Sequence, residues 1–272
     1  MSTGIAIGVD VGGSGVKCGA VDVATGQLVG ARRRVATPQP STPSAVVGVI
    51  AQLVERIGRQ AGAPAAPVGV GVPSVVIGGV TRSAANIDQA WIGFDAGGAL
   101  AAAIGRPVVV LNDADAAGIA EMRFGAGAGQ GGTVFVLTLG TGLGSALFID
   151  GALVPNTELG HMEIRGRDAE RRSAAVARIR RGLSWKAWAG DLDEHLHAID
   201  RLFWPTLIIL GGGVSKNADR FLPYLTVRPP VVPAELRNDA GIVGAAMAAA
   251  ERHGAVSPPA ESAAAPEAAS GA

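Results

Sequence analysis

Ile5-Ala-Ile-Gly-Val-Asp-Val-Gly-Gly-Ser-Gly-Val-Lys17 is the stretch that decides the fold. An apolar, β-branched run reads as a buried strand, and this one reaches Asp10 just before a turn of small residues. Val16 to Val23 reads as the returning strand, and Leu28 to Val35 as the third strand of a meander. The same form recurs about half a chain later in Leu137-Thr-Leu-Gly-Thr-Gly-Leu-Gly144: strand, glycine turn, strand. Two such hairpins facing one another would aim backbone N–H groups and small hydroxyls into one cleft, which suits a chain of phosphates. Either hairpin alone would be an ordinary glycine turn. Their pairing favours a phosphate clamp.

Working outward, Thr42-Pro43 offers an N-cap and a first-turn proline. Val46, Val47, Ile50, Leu53, Val54 and Ile57 then follow at helical spacing. Val68 to Val72 returns to the sheet, and Val108 to Leu111 is a further strand. A helix from Asp113 to Phe124 stops at Gly125. Strands are expected at 133–139, 143–149 and 207–210. A basic, helical region covers 165–181, an amphipathic helix carries Trp188, Leu192, Leu196, Ile199 and Leu202, and a last helix runs from about Ala240 to Glu251. The Ala/Pro/Ser/Glu tail, 255–272, reads as disordered.

Composition narrows the function. The chain has 272 residues, 23 basic and 23 acidic groups and one cysteine, Cys18. A neutral balance favours neither nucleic acid nor a membrane surface, and one cysteine excludes a disulfide framework and a multi-cysteine zinc site. The four histidines are too scattered to suggest a metal cluster. Met1 to Gly4 has no secretory pattern, so a soluble, cytoplasmic protein is expected.

Five motifs in order carry a family resemblance: Asp10-Val-Gly-Gly-Ser-Gly-Val-Lys17, Leu111-Asn-Asp-Ala-Asp-Ala116, Leu139-Gly-Thr-Gly-Leu-Gly144, Glu158-Leu-Gly-His161 and Leu210-Gly-Gly-Gly-Val-Ser215. With them the chain resembles the ROK-family sugar kinases. Asn156-Thr-Glu-Leu-Gly-His, Ser184-Trp-Lys-Ala-Trp-Ala189 and Asn238-Asp-Ala-Gly-Ile-Val-Gly-Ala245 look like the branch that phosphorylates glucose from polyphosphate. The resemblance implies an α/β, two-lobed actin-like ATPase (ribonuclease H-like) fold. The expected lobes are 1–112 plus 239–254 and 113–238, with the last helix packed back on the first lobe. It also implies phosphoryl transfer to the 6-hydroxyl of glucose, Mg²⁺ as cofactor, and a homodimer. The donor is expected to be inorganic polyphosphate, with ATP left open.

Within that resemblance Asp113 is the expected base, because it follows a buried strand and so sits at the strand's carboxyl end, where open α/β sheets bind ligands. It could instead cap its helix, a role open equally to Asp115. Asn112, Asp113, Glu158 and His161 are the implied glucose ligands, with Asn86, ahead of Trp91, as a further one. Residues 162–190 lack the cysteines of the family's usual zinc loop, so His161 is expected to bind sugar and not zinc. Glu163 and Glu170 are both open as substitutes for the carboxylate that usually follows that loop. Asp10 is the expected magnesium residue, directly or through water. Gly12, Gly13, Ser14, Lys17, Thr138, Gly140, Thr141 and Gly142 form the expected clamp. Gly211, Gly212 and Gly213 resemble the segment that receives adenosine. Pro73-Ser74 stands where the family usually has Pro-Gly, which leaves sugar preference open.

Arg165 to Lys186 carries eight cations against Asp168 and Glu170. A charge run is usually a solvated face. Here Arg178, Arg180 and Arg181 are also the expected landing track for a linear polyanion, since the guanidinium fork matches phosphate oxygens. Trp185 and Trp188, three apart, read as core. The rival readings are an ATP-dependent hexose kinase and a sugar-responsive regulator. A repressor would need a DNA-binding region beyond the roughly four residues ahead of the first strand.

Overall fold

In the computed structural model, which describes residues 4–254, the chain forms two five-stranded sheets of matching topology. The expected disordered tail lies outside the described residues. The first half runs β1 (Ile5–Gly12), β2 (Gly15–Asp22), β3 (Arg33–Val35), α1 (Pro43–Gln60), β4 (Val68–Val72), a small hairpin of β5 (Val76–Ile77) and β6 (Val80–Thr81), α2 (Ala96–Ile104) and β7 (Val108–Asn112). Its sheet has the order β3-β2-β1-β4-β7. The meander is antiparallel, whereas β1, β4 and β7 run parallel.

After α3 (Asp113–Phe124), the second half repeats the plan with β8 (Thr133–Leu139), β9 (Leu143–Ile149) and β10 (Ala152–Val154). A loop excursion follows, made of the pair β11 (Glu163–Ile164) and β12 (Arg167–Asp168) and the short helices α4 (Glu170–Ser173) and α5 (Ala175–Arg180). Then come α6 (Trp185–Phe203), β13 (Leu207–Gly211), β14 (Val231–Pro233) and α7 (Ala240–Arg252). The second sheet has the order β10-β9-β8-β13-β14, again an antiparallel meander joined to parallel strands.

Alternation along the strands splits each sheet into two apolar faces. Ile7, Val9, Val11, Val68 and Val70 pack with the buried stripe of α1. Phe135, Leu137, Leu139, Ile208 and Leu210 pack with Trp188, Leu192, Leu196 and Ile199 of α6. The opposite faces meet α7 and α3, and α7 packs on β1 and β4 of the first sheet as well as on α3. No helix among the described residues is long and apolar enough to cross a membrane.

Three local expectations change. The third strand is only Arg33–Val35, with an isolated Val21–Leu28 bridge ahead of it. Gly30, at φ +82°, breaks the run between them. Thr42 occupies the N-cap of α1 without a side-chain hydrogen bond, so Pro43 is the start signal that operates. Leu202 is 67 % exposed, because Phe203 takes the next place on the stripe of α6, edge-to-face with Phe135.

Candidate active site

The two first strands carry their small-residue turns at Gly12–Gly15 and Leu139–Leu143. On the first turn, Lys17 Nζ donates to Asp10 Oδ2 at 2.7 Å across the hairpin. Lys17 is therefore engaged by Asp10. Asn86, in the left-handed region at φ 60°, brings its carbonyl against Gly13, where a Cβ would lie 2.7 Å from it. The loop holding Asn86 is pinned by buried Trp91, whose Nε1 donates to the Ser41 carbonyl at 2.9 Å. Arg34, which sequence reading missed, donates to the Ser14 carbonyl at 2.9 Å. No motif marks it; only the meander brings β3 alongside the turn.

The second turn has no charge of its own. Glu170 Oε2 accepts from the Leu143 N–H at 2.9 Å and lies 2.7 Å from where a Cβ of Gly142 would be. Val176 N–H donates to the Gly140 carbonyl at 3.1 Å, so α5 begins beside this turn. Gly211 pairs with Thr138 in register, and Gly212 approaches the Leu139 backbone at φ +82°, too close for any Cβ. The glycine segment thus lies beside the second turn. A groove of about 540 Å³ next to it is lined by Ser215, Lys216, Asp219, Ala234, Glu235 and Arg237, among others.

Asp113 opens α3 at the end of β7, but neither it nor Asp115 is the cap. Asn112 is: its Oδ1 accepts from Ala114 N–H at 2.8 Å and Asp115 N–H at 3.1 Å, and its Nδ2 donates to the Ser74 carbonyl at 3.2 Å. A buried Asn112 committed to these bonds keeps one amide hydrogen outside them. Burial, then the negative charge of Asp10, raises the Asp113 carboxyl to about 7, with Glu158 adding to the rise and the Ala114 N–H opposing it. Such a carboxyl is poised to accept a proton near neutral pH.

Glu158 and His161 stand on the loop after β10. Burial raises the Glu158 carboxyl, while His161, 3.9 Å away, opposes the rise. His161 Nδ1 lies 3.1 Å from Asp168 Oδ2, and that hydrogen bond raises the imidazole above its ordinary value. His161, Asp168 and Glu170 offer ligand atoms within 4.8 Å of one another, a grouping the scattered histidines did not suggest. Of the two open carboxylates, Glu170 touches the second turn; Glu163 is exposed on β11. The Ser74 hydroxyl turns away into the β5–β6 hairpin, donating to the Ser83 carbonyl at 2.6 Å.

The basic segment is less free than its sequence suggests. α6 supplies partners from outside the run: Arg165 and Arg172 pair with Glu194, and Arg172 and Arg181 with Asp191. Arg178 lies over the Trp185 ring at 4.0 Å. Of the three expected track residues, Arg180 is exposed and has no ion pair among the described residues. Trp188 is fully buried, while Trp185 is half-buried and stacked on Phe221.

Comparison with known proteins bears on the family and the fold. Residues 6–177 match the model of the ROK family. The chain is 50 % identical to a polyphosphate glucokinase of Mycobacterium tuberculosis over 242 residues, 89 % of each chain. It is 30 % identical to a glucokinase of Streptomyces coelicolor over 91 % of this chain and 98 % of that one. The crystal structure of an inorganic polyphosphate/ATP-glucomannokinase from Arthrobacter sp. strain KM superposes with a TM-score of 0.88 at 52 % identity, covering 92 % of this chain and 99 % of the other. A ROK glucokinase from Streptomyces griseus, solved with glucose and AMPPNP, superposes at 0.76 with 28 % identity, covering 91 % of this chain and all of that one. Two matched sheets, each with its glycine turn, and these relatives lead to one statement: the chain belongs to the ROK family.

Proposed function

We propose that this protein is a polyphosphate-dependent glucokinase, which moves the terminal phosphoryl group of inorganic polyphosphate to the 6-hydroxyl of glucose. The observation that carries the reading is Asp113, raised to about 7 at the end of β7. Its family context is that of relatives named for this reaction. Asp113 takes the hydroxyl proton as the sugar oxygen bonds to phosphorus; the bond from phosphorus to the rest of the chain breaks, leaving polyphosphate one unit shorter. Phosphoryl transfer needs chiefly positioning and charge stabilisation, which the N–H groups of the two turns, Lys17 and Arg34 supply. Glu158, His161, Asn86 and the spare Asn112 proton suit the hydroxyls of a hexose.

Asp10, whose carboxylate is a hard oxygen donor beside the first turn, fits a divalent cation. Mg²⁺, when bound, would neutralise charge on the phosphates, with Asp10 holding it directly or through water. ATP is a second donor in this reading, favoured by the groove beside Gly212. The lobe boundaries, 1–112 with 239–254 and 113–238, a homodimer and a cytoplasmic location belong to the same proposal. The test is glucose phosphorylation with polyphosphate and with ATP in parallel, magnesium supplied. Turnover with polyphosphate is expected; turnover with neither donor would overturn the reading.

The pH dependence follows from Asp113. A base must be deprotonated, so kcat/KM should rise with pH through about 7 and level off above it.

A further inference from the structure

The glucose loop is tied to the opposite half of the molecule by a side chain outside the expected ligand set. Asn156 Oδ1 accepts from the Val76 N–H at 2.8 Å, and Asn156 Nδ2 donates to the Val76 carbonyl at 2.9 Å. One amide thus takes both backbone groups of one residue in the β5–β6 hairpin, as a neighbouring strand would. The backbone of Asn156 is held as well: its N–H donates at 2.8 Å to Oδ2 of Asp115, 1 % exposed on the helix that Asp113 opens. Asn156 sits at φ 61°, a conformation asparagine tolerates better than most residues. Two residues on is Glu158. Two residues before Val76, the Ser74 carbonyl accepts from the Asn112 amide.

We propose that Asn156 is a positioning residue of the sugar site, a two-bond clasp that sets the Glu158–His161 loop against the β5–β6 wall and in register with the helix of Asp113. The loop is independently seated on its own half, where Ser145 Oγ accepts from Leu159 N–H at 3.0 Å and donates to the Thr157 carbonyl at 2.7 Å. Losing the clasp should therefore loosen the pocket without unfolding the loop. The phosphate turns lie on other strands, so donor binding should be spared. The inference rests on the glucokinase reading.

The test is Asn156→Gly, which keeps the left-handed backbone and the N–H to Asp115 but removes the clasp. Glucose KM and calorimetric glucose Kd should rise ~5–100-fold, the range for two neutral hydrogen bonds. KM for polyphosphate should stay within ~threefold of wild type, a split that marks lost sugar positioning. Asn156→Asp, which also tolerates the backbone, sets a carboxylate against the Val76 carbonyl and should lose glucose affinity at least as strongly. An unchanged glucose Kd in both variants would overturn the proposal. So would an equal loss for both substrates accompanied by a collapse in Tm, which would make Asn156 merely structural. A wild-type protein that neither binds nor phosphorylates glucose would instead overturn the glucokinase reading, before any variant is compared.

Discussion

The two sheets share an order but meet their inner helices in different ways. Counting back from Gly12 and Gly140, which follow the apolar part of each first strand, Gly8 corresponds to Val136 and Asp10 to Thr138. Through the parallel register, Gly69 corresponds to Ile209. On the first sheet α7 lies backbone to backbone: a Cβ at Gly8 would be 1.8 Å from the Ile242 carbonyl oxygen, and one at Gly69 1.8 Å from that of Ala245. The second sheet fills the same layer with Val134, Val136, Phe148 and Ile209 against Ile119 and Met122 of α3. The charge differs too. Asp10 faces Lys17 in the first hairpin, whereas Thr138 faces Gly144 in the second. A duplicated scaffold has thus given its close-packed half the ionic chemistry. Its side-chain-packed half supports the neutral turn and the Glu158–His161 loop.

The comparison is broken most severely at the helix between the sheets. Asp113→Asn should cut turnover ~10²–10⁴-fold, the scale of a lost general base, with glucose still bound. The sign of its stability effect is opposite. A carboxyl raised from 3.8 to about 7 by folding binds its proton more tightly in the native state, so stability falls as pH rises between those values. The neutral amide of the variant carries no such cost, so the variant's Tm relative to wild type should be higher at pH 8 than at pH 4. Near-normal turnover, or a Tm difference independent of pH, would remove Asp113 from this role.

Asp10→Thr makes the first hairpin resemble the second. Activity should fall at least ~tenfold, with the magnesium requirement weakened, because a hard carboxylate ligand is lost. In the metal-free protein the same change removes a negative neighbour of Asp113, so the Asp113 carboxyl should titrate at lower pH. An unmoved carboxyl titration and an unchanged magnesium requirement would show that the hairpins are electrostatically alike in function.

Stability should separate the sheets by mechanism. Gly8→Ala forces α7 outward and should cost ~3 kcal/mol or more, at the upper end of overpacking. Val136→Ala leaves a cavity and should cost ~1–3 kcal/mol. Denaturant midpoints would check the order; equal small losses would mean that α7 can shift freely.

The smallest effect distinguishes the donors. Arg34→Ala, at the first turn, should raise KM for ATP and polyphosphate alike. Arg180→Ala, beyond the second, should raise KM only for long polyphosphate, by ~two- to fivefold, and flatten its salt dependence through fewer released counterions. Arg181→Ala should do less, since Arg181 is paired with Asp191. Identical behaviour of the Arg34 and Arg180 variants would remove Arg180 from the expected polyanion track.

The sequence alone determined the elements and the doubling of the fold, because periodic burial is written locally: Val46 to Ile57 on α1 and Trp188 to Ile199 on α6 face inward as their spacing requires. It also marked the turns and Asp113 through order and family likeness. Only the tertiary structure decided how polar groups are shared. Asn112 is a cap, Lys17 is committed to Asp10, the Ser74 hydroxyl donates to the Ser83 carbonyl, and acids of α6 take up Arg165, Arg172 and Arg181. Arg34 at Ser14 and Asn156 on Val76 join residues 20 and 80 positions apart. Hydrogen bonds and ion pairs act over a few ångströms in space, and which groups come that close is set by strand order and register, not by neighbours along the chain.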